Sequence, residues 1–220
     1  MDFPFVDLHT HQPKTLALSV VNLPKDGTFP AEEPVDGFAK HYYCYGIHPY
    51  WVEESEAGMK LLEELLEANR IVAVGETGID KTRPRMEQQL EAFERQIVLS
   101  ETYRKPMILH NVRGTAEILR LHKKHQPRQT WVIHGFNGSE EEAKQLIDRG
   151  IHLSVGHGIR YENRKIVKAI PSLPLDYLHF ETDDSPIHVR EVDEIAAELL
   201  HLPLEVLKEK IFVNFARLIL

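Results

Sequence analysis

Cysteine is nearly absent. The one residue, Cys44, among 220 cannot close an intrachain disulfide, which suits a reducing compartment. Long apolar runs are missing too, since nothing approaches the roughly 18–20 residues that a membrane-spanning helix needs. The opening segment, MDFPFVDLHTHQ, has neither a basic region nor an extended apolar one, so no signal peptide and no membrane partner are expected. Positive charge is the minority, with 26 Lys and Arg against 34 Asp and Glu and a net charge of −8. That balance excludes a global basic footprint for coating nucleic acid. Any phosphate-binding surface has to be local, or has to draw its charge from metal ions. No Ser/Gly-rich linker or low-complexity tract interrupts the chain, so the simplest organisation is a single domain over residues 1–220 of a cytoplasmic protein.

What is present is a core. Hydrophobic residues make up 42% of the sequence, and charged ones are mixed through it, which argues against extended disorder. Short apolar runs rich in β-branched and aromatic residues recur at 3–9, 16–22, 42–48, 71–76, 106–110, 130–134, 151–155 and 176–183. Several are too short and too uniformly apolar for a half-exposed sheet and read as buried parallel strands. Amphipathic helical patterns lie between most of them, over 56–69, 85–103, 114–125, 139–150 and 163–170. The stretch 190–220 reads as two helices broken at Pro203, and Gly150 as a helix C-cap. Strand–helix alternation with eight strands predicts an α/β fold, a (β/α)8 TIM-type barrel with its functional site at the C-terminal strand ends. The first two crossovers, after Gln12 and after Asn22, look too short for full helices, so the barrel is expected to be distorted.

Polar residues gather at those strand ends. FVDLHTHQ carries His9 and His11, one residue apart, on one face of an extended chain. Such a pair could bind a metal, hydrogen-bond its surroundings or sit in solvent. The later strands end in His48, Glu76, His110, His134, Glu181 and Asp183. Taken singly, each has a plain reading: a strand-end ion pair for Glu76, core histidines for His110 and His134, a helix N-cap for Asp183. Around one barrel rim, four imidazoles and two carboxylates (His9, His11, Glu76, His110, His134, Asp183) would face a common cavity, and burying so many ionisable groups without a metal would be costly. Imidazole with carboxylate suits Zn, Mn, Fe or Ni, or Mg with waters. Six protein ligands exceed what one catalytic metal needs, so two divalent metal ions bridged by a carboxylate are expected.

The segments DLHTH (7–11), GIHP (46–49), VGETGID (74–80), ILHNVRG (108–114), IHGFNGS (133–139) and HFETDDSP (179–186), with QQLEAFERQIVLS before strand five and VNFARL at 213–218, resemble the TatD-type metal-dependent hydrolases of the amidohydrolase-like superfamily. The resemblance implies roles. His9, His11, Glu76 and Asp183 would hold one metal and Glu76, His110 and His134 the other, with Glu76 bridging. Asp183 would accept the proton of an attacking water activated by both metals, and His48 and Arg113 would contact substrate. The activity implied is hydrolysis of DNA phosphodiester bonds, with single-stranded DNA as partner. Glu181 would support a metal ligand from behind.

The chain also departs from that pattern. It runs almost directly from Gln12 into strand two, lacks the Arg–Asn–x–Pro signature after Pro186, and carries KTRPR at 81–85 where the family is aromatic and acidic. KTRPR reads either as a phosphate-gripping loop or as a solvated helix entry. The alternative function is the same metal chemistry on a small ester, amide or lactone. A third reading is a binding module that keeps metal for structure alone.

Overall fold

The computed structural model describes residues 3–12, 16–31 and 40–220. Eight strands follow one another in chain order across one sheet, each of the later ones preceded by a helix, and the fold is the expected TIM-type α/β barrel. The strands are β1 (Phe5–Thr10), β2 (Ala17–Asn22), β3 (Lys40–Tyr45), β4 (Ala73–Asp80), β5 (Met107–Val112), β6 (Trp131–Ile133), β7 (His152–Val155) and β8 (Leu178–Phe180). The helices are α1 (Ser55–Glu67), α2 (Met86–Tyr103), α3 (Thr115–His125), α4 (Glu140–Ile147), α5 (Lys165–Ala169), α6 (Val189–Leu200) and α7 (Leu204–Ile219). The shortened crossovers fall partly on residues 13–15 and 32–39, which lie outside the described residues. Residues 23–31 form no helix. No described helix is long and apolar enough to cross a membrane.

By their contacts the residues divide into two compact units. The first comprises Met1–Val21, Glu32–Tyr42 and His134–Leu220. Here β1 pairs in parallel with β2 and β7 with β8, and a bridge between Thr10 and Asp183 joins the ends of β1 and β8. Helices α6 and α7 bury Val189, Val192, Ala196, Leu207, Ile211 and Phe215. The break between them is where expected: His201 turns into the left-handed region and Pro203 precedes the new helix. Gly150, with φ of 75°, ends α4 as its sequence position predicts. Ser139 caps the start of α4, accepting a hydrogen bond from the Glu142 amide.

The second unit comprises Asn22–Ala31 and Tyr43–Ile133, with β3–β4–β5–β6 paired in parallel. Helix α1 buries Met59, Leu62, Leu65 and Leu66, the apolar stripe read from its sequence. Helix α2 is different, because its buried face carries Gln89 and Gln96 among Ala92, Phe93 and Ile97. Two buried amides on one face are costly unless each is satisfied. Gln96 accepts from the Ile47 amide at 2.7 Å and donates to Ile47 O, Thr77 Oγ1 and Ala92 O. Gln89 accepts from the Asp80 amide at 2.9 Å and donates to the carbonyls of Asp80 and Pro84. One helix thereby grips the C-terminal ends of β3 and β4, where site residues emerge.

Strand β4 runs four residues past Glu76, to Asp80, rather than stopping there. Its partner strand explains the extension: Thr77, Gly78, Ile79 and Asp80 pair with Leu109, His110, Asn111 and Val112. At the other boundary, β3 ends at Tyr45, so His48 is not a strand residue but the cap of a 3-10 turn over Pro49–Glu54.

A candidate metal centre

In the first unit, β1 delivers His9, fully buried, and His11 just beyond it. The β1–β8 junction delivers Asp183. Its amide donates to His9 O at 2.9 Å, and its carbonyl accepts from the His11 amide at 3.0 Å. Asp183 itself adopts φ of 54°, a conformation a non-glycine residue holds only when its surroundings enforce it. Part of that enforcement comes from Asp7, whose buried carboxylate accepts from the Thr182 amide at 2.9 Å and hydroxyl at 2.6 Å. Asp183 Oδ1 then lies 3.6 Å from His9 Nε2 and 3.4 Å from His11 Nε2. The His134 ring lies 4.3 Å from that of His9. His9, His134 and Asp183 each offer a ligand atom within 4.8 Å of the others. Behind His134, the fully buried Glu181 accepts from the Gly135 amide at 2.6 Å and sits 3.5 Å from His134 Nδ1.

In the second unit, His48, Glu76 and His110 form a matching group within the same 4.8 Å limit. Glu76, 6% exposed, has its amide bonded to Asn22 Oδ1 at 2.9 Å. Its Oε1 lies 2.8 Å from His110 Nδ1 and 3.1 Å from His48 Nε2. The two histidines are not equivalent. His48 Nδ1 accepts a hydrogen bond from the Tyr50 amide at 3.1 Å, so its proton sits on Nε2 and points at Glu76. That tautomer makes His48 a hydrogen-bond donor to Glu76. His110 presents Nε2 to Asp80 Oδ2 at 3.4 Å, which leaves Nδ1 as its ligating atom. Burial pushes the Asp80 carboxyl up, but the hydrogen bonds from Thr82 and the neighbouring His110 outweigh it and hold it below the usual range. Arg113 stands exposed just past β5 with φ of 58°, and makes no hydrogen bond or ion pair among the described residues.

Asp7, Asp80, Gln89, Gln96 and Asn22, whose contacts position the candidate residues, were given no role by sequence reasoning. Asp80 had a usable signal: it lies four residues after Glu76, and an even spacing keeps side chains on one face of an extended strand. Cys44 is buried and directs its thiol to Asn22 Oδ1 at 3.4 Å. Burial drives that thiol's pKa up, which favours the protonated form. The basic cluster splits. Lys81 pairs with Glu117 at 2.8 Å and Arg85 with Glu53, while Arg83 lies over the Tyr50 ring.

Both groups consist of imidazole and carboxylate donors alone, a set that fits a borderline or hard divalent cation. Residues 12–220 match the family described as TatD-related DNase. The chain belongs to that family. The Escherichia coli K12 protein YjjV, described as an uncharacterized metal-dependent hydrolase, is 36% identical over 156 residues, covering 67% of this chain and 60% of its own. A Haemophilus influenzae protein of the same description is 35% identical over 159 residues, covering 66% and 60%. Against the length of these two curated relatives the TatD-family chain thus spans about three-fifths. The crystal structure of E. coli YjjV superposes with a TM-score of 0.86 at 26% identity, covering 98% of this chain and 97% of that one.

Proposed function

We propose that this TatD-family chain is a metal-dependent hydrolase that cleaves phosphodiester bonds of single-stranded DNA. In this reading two divalent cations are held at the C-terminal strand ends. His9, His11, Glu76 and Asp183 would hold one and Glu76, His110 and His134 the other, with Glu76 bridging. The observation that carries it is the pair of imidazole–carboxylate groups, one in each compact unit, whose ligand atoms lie within 4.8 Å of one another inside each group. Membership of a family described as DNases supports the substrate class. When bound, the cations supply a water acidic enough to attack at neutral pH and polarise the phosphoryl oxygen. The chain's own residues do the rest. Asp183, with a side chain 30% exposed and both neighbours tied to its backbone, accepts the water's proton. His48 and Arg113 contact the substrate, Arg113 offering its planar fork to a phosphate.

The alternative substrate, a small ester, amide or lactone, draws support from the start of α6 at Val189, three residues after Pro186, which leaves no room for the family's extended loop. Metal analysis of the purified protein, followed by assays with added Mg or Mn, separates the two. Nucleotide release from single-stranded oligonucleotides that stops on chelation is the expected result. Turnover of small esters without any nucleotide release would transfer the proposal to the alternative.

Asp80→Asn tests the support of His110. Asparagine can keep the turn contacts to the Thr82 amide and hydroxyl, at 2.8 and 2.5 Å in the native chain, while losing the carboxylate that faces Nε2. Metal affinity at the Glu76–His110 position is expected to fall by about 10–100-fold with little loss of thermal stability. Unchanged affinity in a metal-competition titration would remove Asp80 from that role.

A further inference from the structure

Of the three cations in KTRPR, two are spoken for by carboxylates and the third is not. Arg83 makes no ion pair among the described residues, and its guanidinium lies 4.0 Å from the centroid of the Tyr50 ring. Tyr50 is 49% exposed, and its ring stands edge-on to those of His48 at 4.3 Å and His110 at 6.0 Å. The cation is therefore stacked on an aromatic that borders two residues of the candidate centre.

The loop bearing Arg83 is pinned rather than loose. The Arg83 amide donates to Asp80 O at 3.1 Å. Gln89 Nε2 holds the carbonyls on either side, Asp80 at 3.1 Å and Pro84 at 3.0 Å, from a buried position on α2. Pro84 further restricts Arg83 to an extended backbone. An exposed Arg gains little stability from one stacking contact. Fixing it on both sides, with no acid to neutralise it, pre-organises a charge for something outside the chain. The flanking ion pairs help: Arg85 neutralises Glu53 and Lys25 neutralises Glu54, the two acids that follow Tyr50 and would otherwise repel an anion.

We propose that Arg83, oriented by Tyr50, forms an anion subsite beside the candidate metal centre that takes a phosphate adjacent to the scissile bond. The subsite rests on the phosphodiesterase reading above and gives it a substrate preference, for strands carrying a phosphate next to the bond cleaved. A guanidinium fork matches a phosphate bidentately, which the lysine-like point charge would not.

Binding, not turnover, is the deciding measurement. Metal-loaded protein is titrated with a thymidine dinucleotide joined by a hydrolysis-resistant phosphorothioate, with and without a 5′-phosphate, following fluorescence of Trp51 beside Tyr50. The native chain should prefer the 5′-phosphorylated form by about tenfold, the size of one charge-assisted contact of roughly 1.4 kcal/mol. Arg83→Gln should abolish the preference while leaving affinity for the unphosphorylated form within about twofold. Arg83→Lys should keep part of it, and Tyr50→Leu should weaken it. A preference that survives Arg83→Gln overturns the proposal. So does its absence from the native chain, or its loss in Arg113→Gln instead. If oligonucleotides are never hydrolysed yet the Arg83-dependent preference persists, the nuclease reading fails and the subsite stands.

Discussion

Gly78→Ala is expected to lower the melting temperature by roughly 8–16 °C, about 4 kcal/mol in a chain of this size. Gly78 lies opposite His110 in the β4–β5 ladder. A Cβ built there would sit 2.1 Å from the His110 carbonyl oxygen and 3.1 Å from its carbonyl carbon and amide nitrogen. Those are backbone atoms held in a parallel ladder, so no side chain can swing aside to make room. The conformation adds to the cost, since φ of 140° is one that only glycine adopts readily. Strain of about 1–3 kcal/mol and an overpacking cost of similar size act together. Gly150→Ala separates the two effects. It has φ of 75° but nothing within 4 Å of its would-be Cβ, so it should cost only about 1 kcal/mol. Thermal melts of both variants check the pair. Equal shifts would mean that close approach at Gly78 is not what constrains the strand. The site depends on that approach, because the same ladder brings Glu76 on β4 to His110 on β5, 2.8 Å apart.

How much of this was legible in the sequence follows from which forces are local. Buried parallel strands read as short apolar runs because both their faces are covered, and all eight emerged. The amphipathic stripe of α1 and the Pro203 break were equally visible, since periodicity and proline chemistry act within a few residues. His9, His48, Glu76, His110, His134 and Asp183 were visible as polar residues at the ends of apolar runs. The register of a strand against its neighbour was not. The apolar run read over 71–76 stops short of Asp80, and only pairing with β5 explains the continuation of β4. The contacts of Gln89 and Gln96 were not visible either, because nothing local says that backbone ends need their amides. The fate of KTRPR was undecidable for the same reason: Glu117 and Glu53, which bind Lys81 and Arg85, come from distant segments.

Glu76→Gln carries the largest expected functional effect, loss of at least one metal ion per chain and a fall in kcat of about a thousandfold or more, equivalent to several kcal/mol of transition-state stabilisation. Glutamine preserves the volume and leaves an oxygen to accept from His48 Nε2–H, whose tautomer is fixed by the Tyr50 amide. What it removes is the charge, the property a bridging ligand between two cations supplies. Stability of the metal-free protein should hold or rise, because a carboxylate that is only 6% exposed is costly to keep ionised. The two readouts therefore move in opposite directions, which a general folding defect does not do. Elemental analysis, kcat and a thermal melt with and without chelator measure all three. Metal content at the native level together with kcat within tenfold would deny Glu76 the bridging role. Loss of metal without loss of fold would make the carboxylate between His48 and His110 the residue on which the centre's assembly depends.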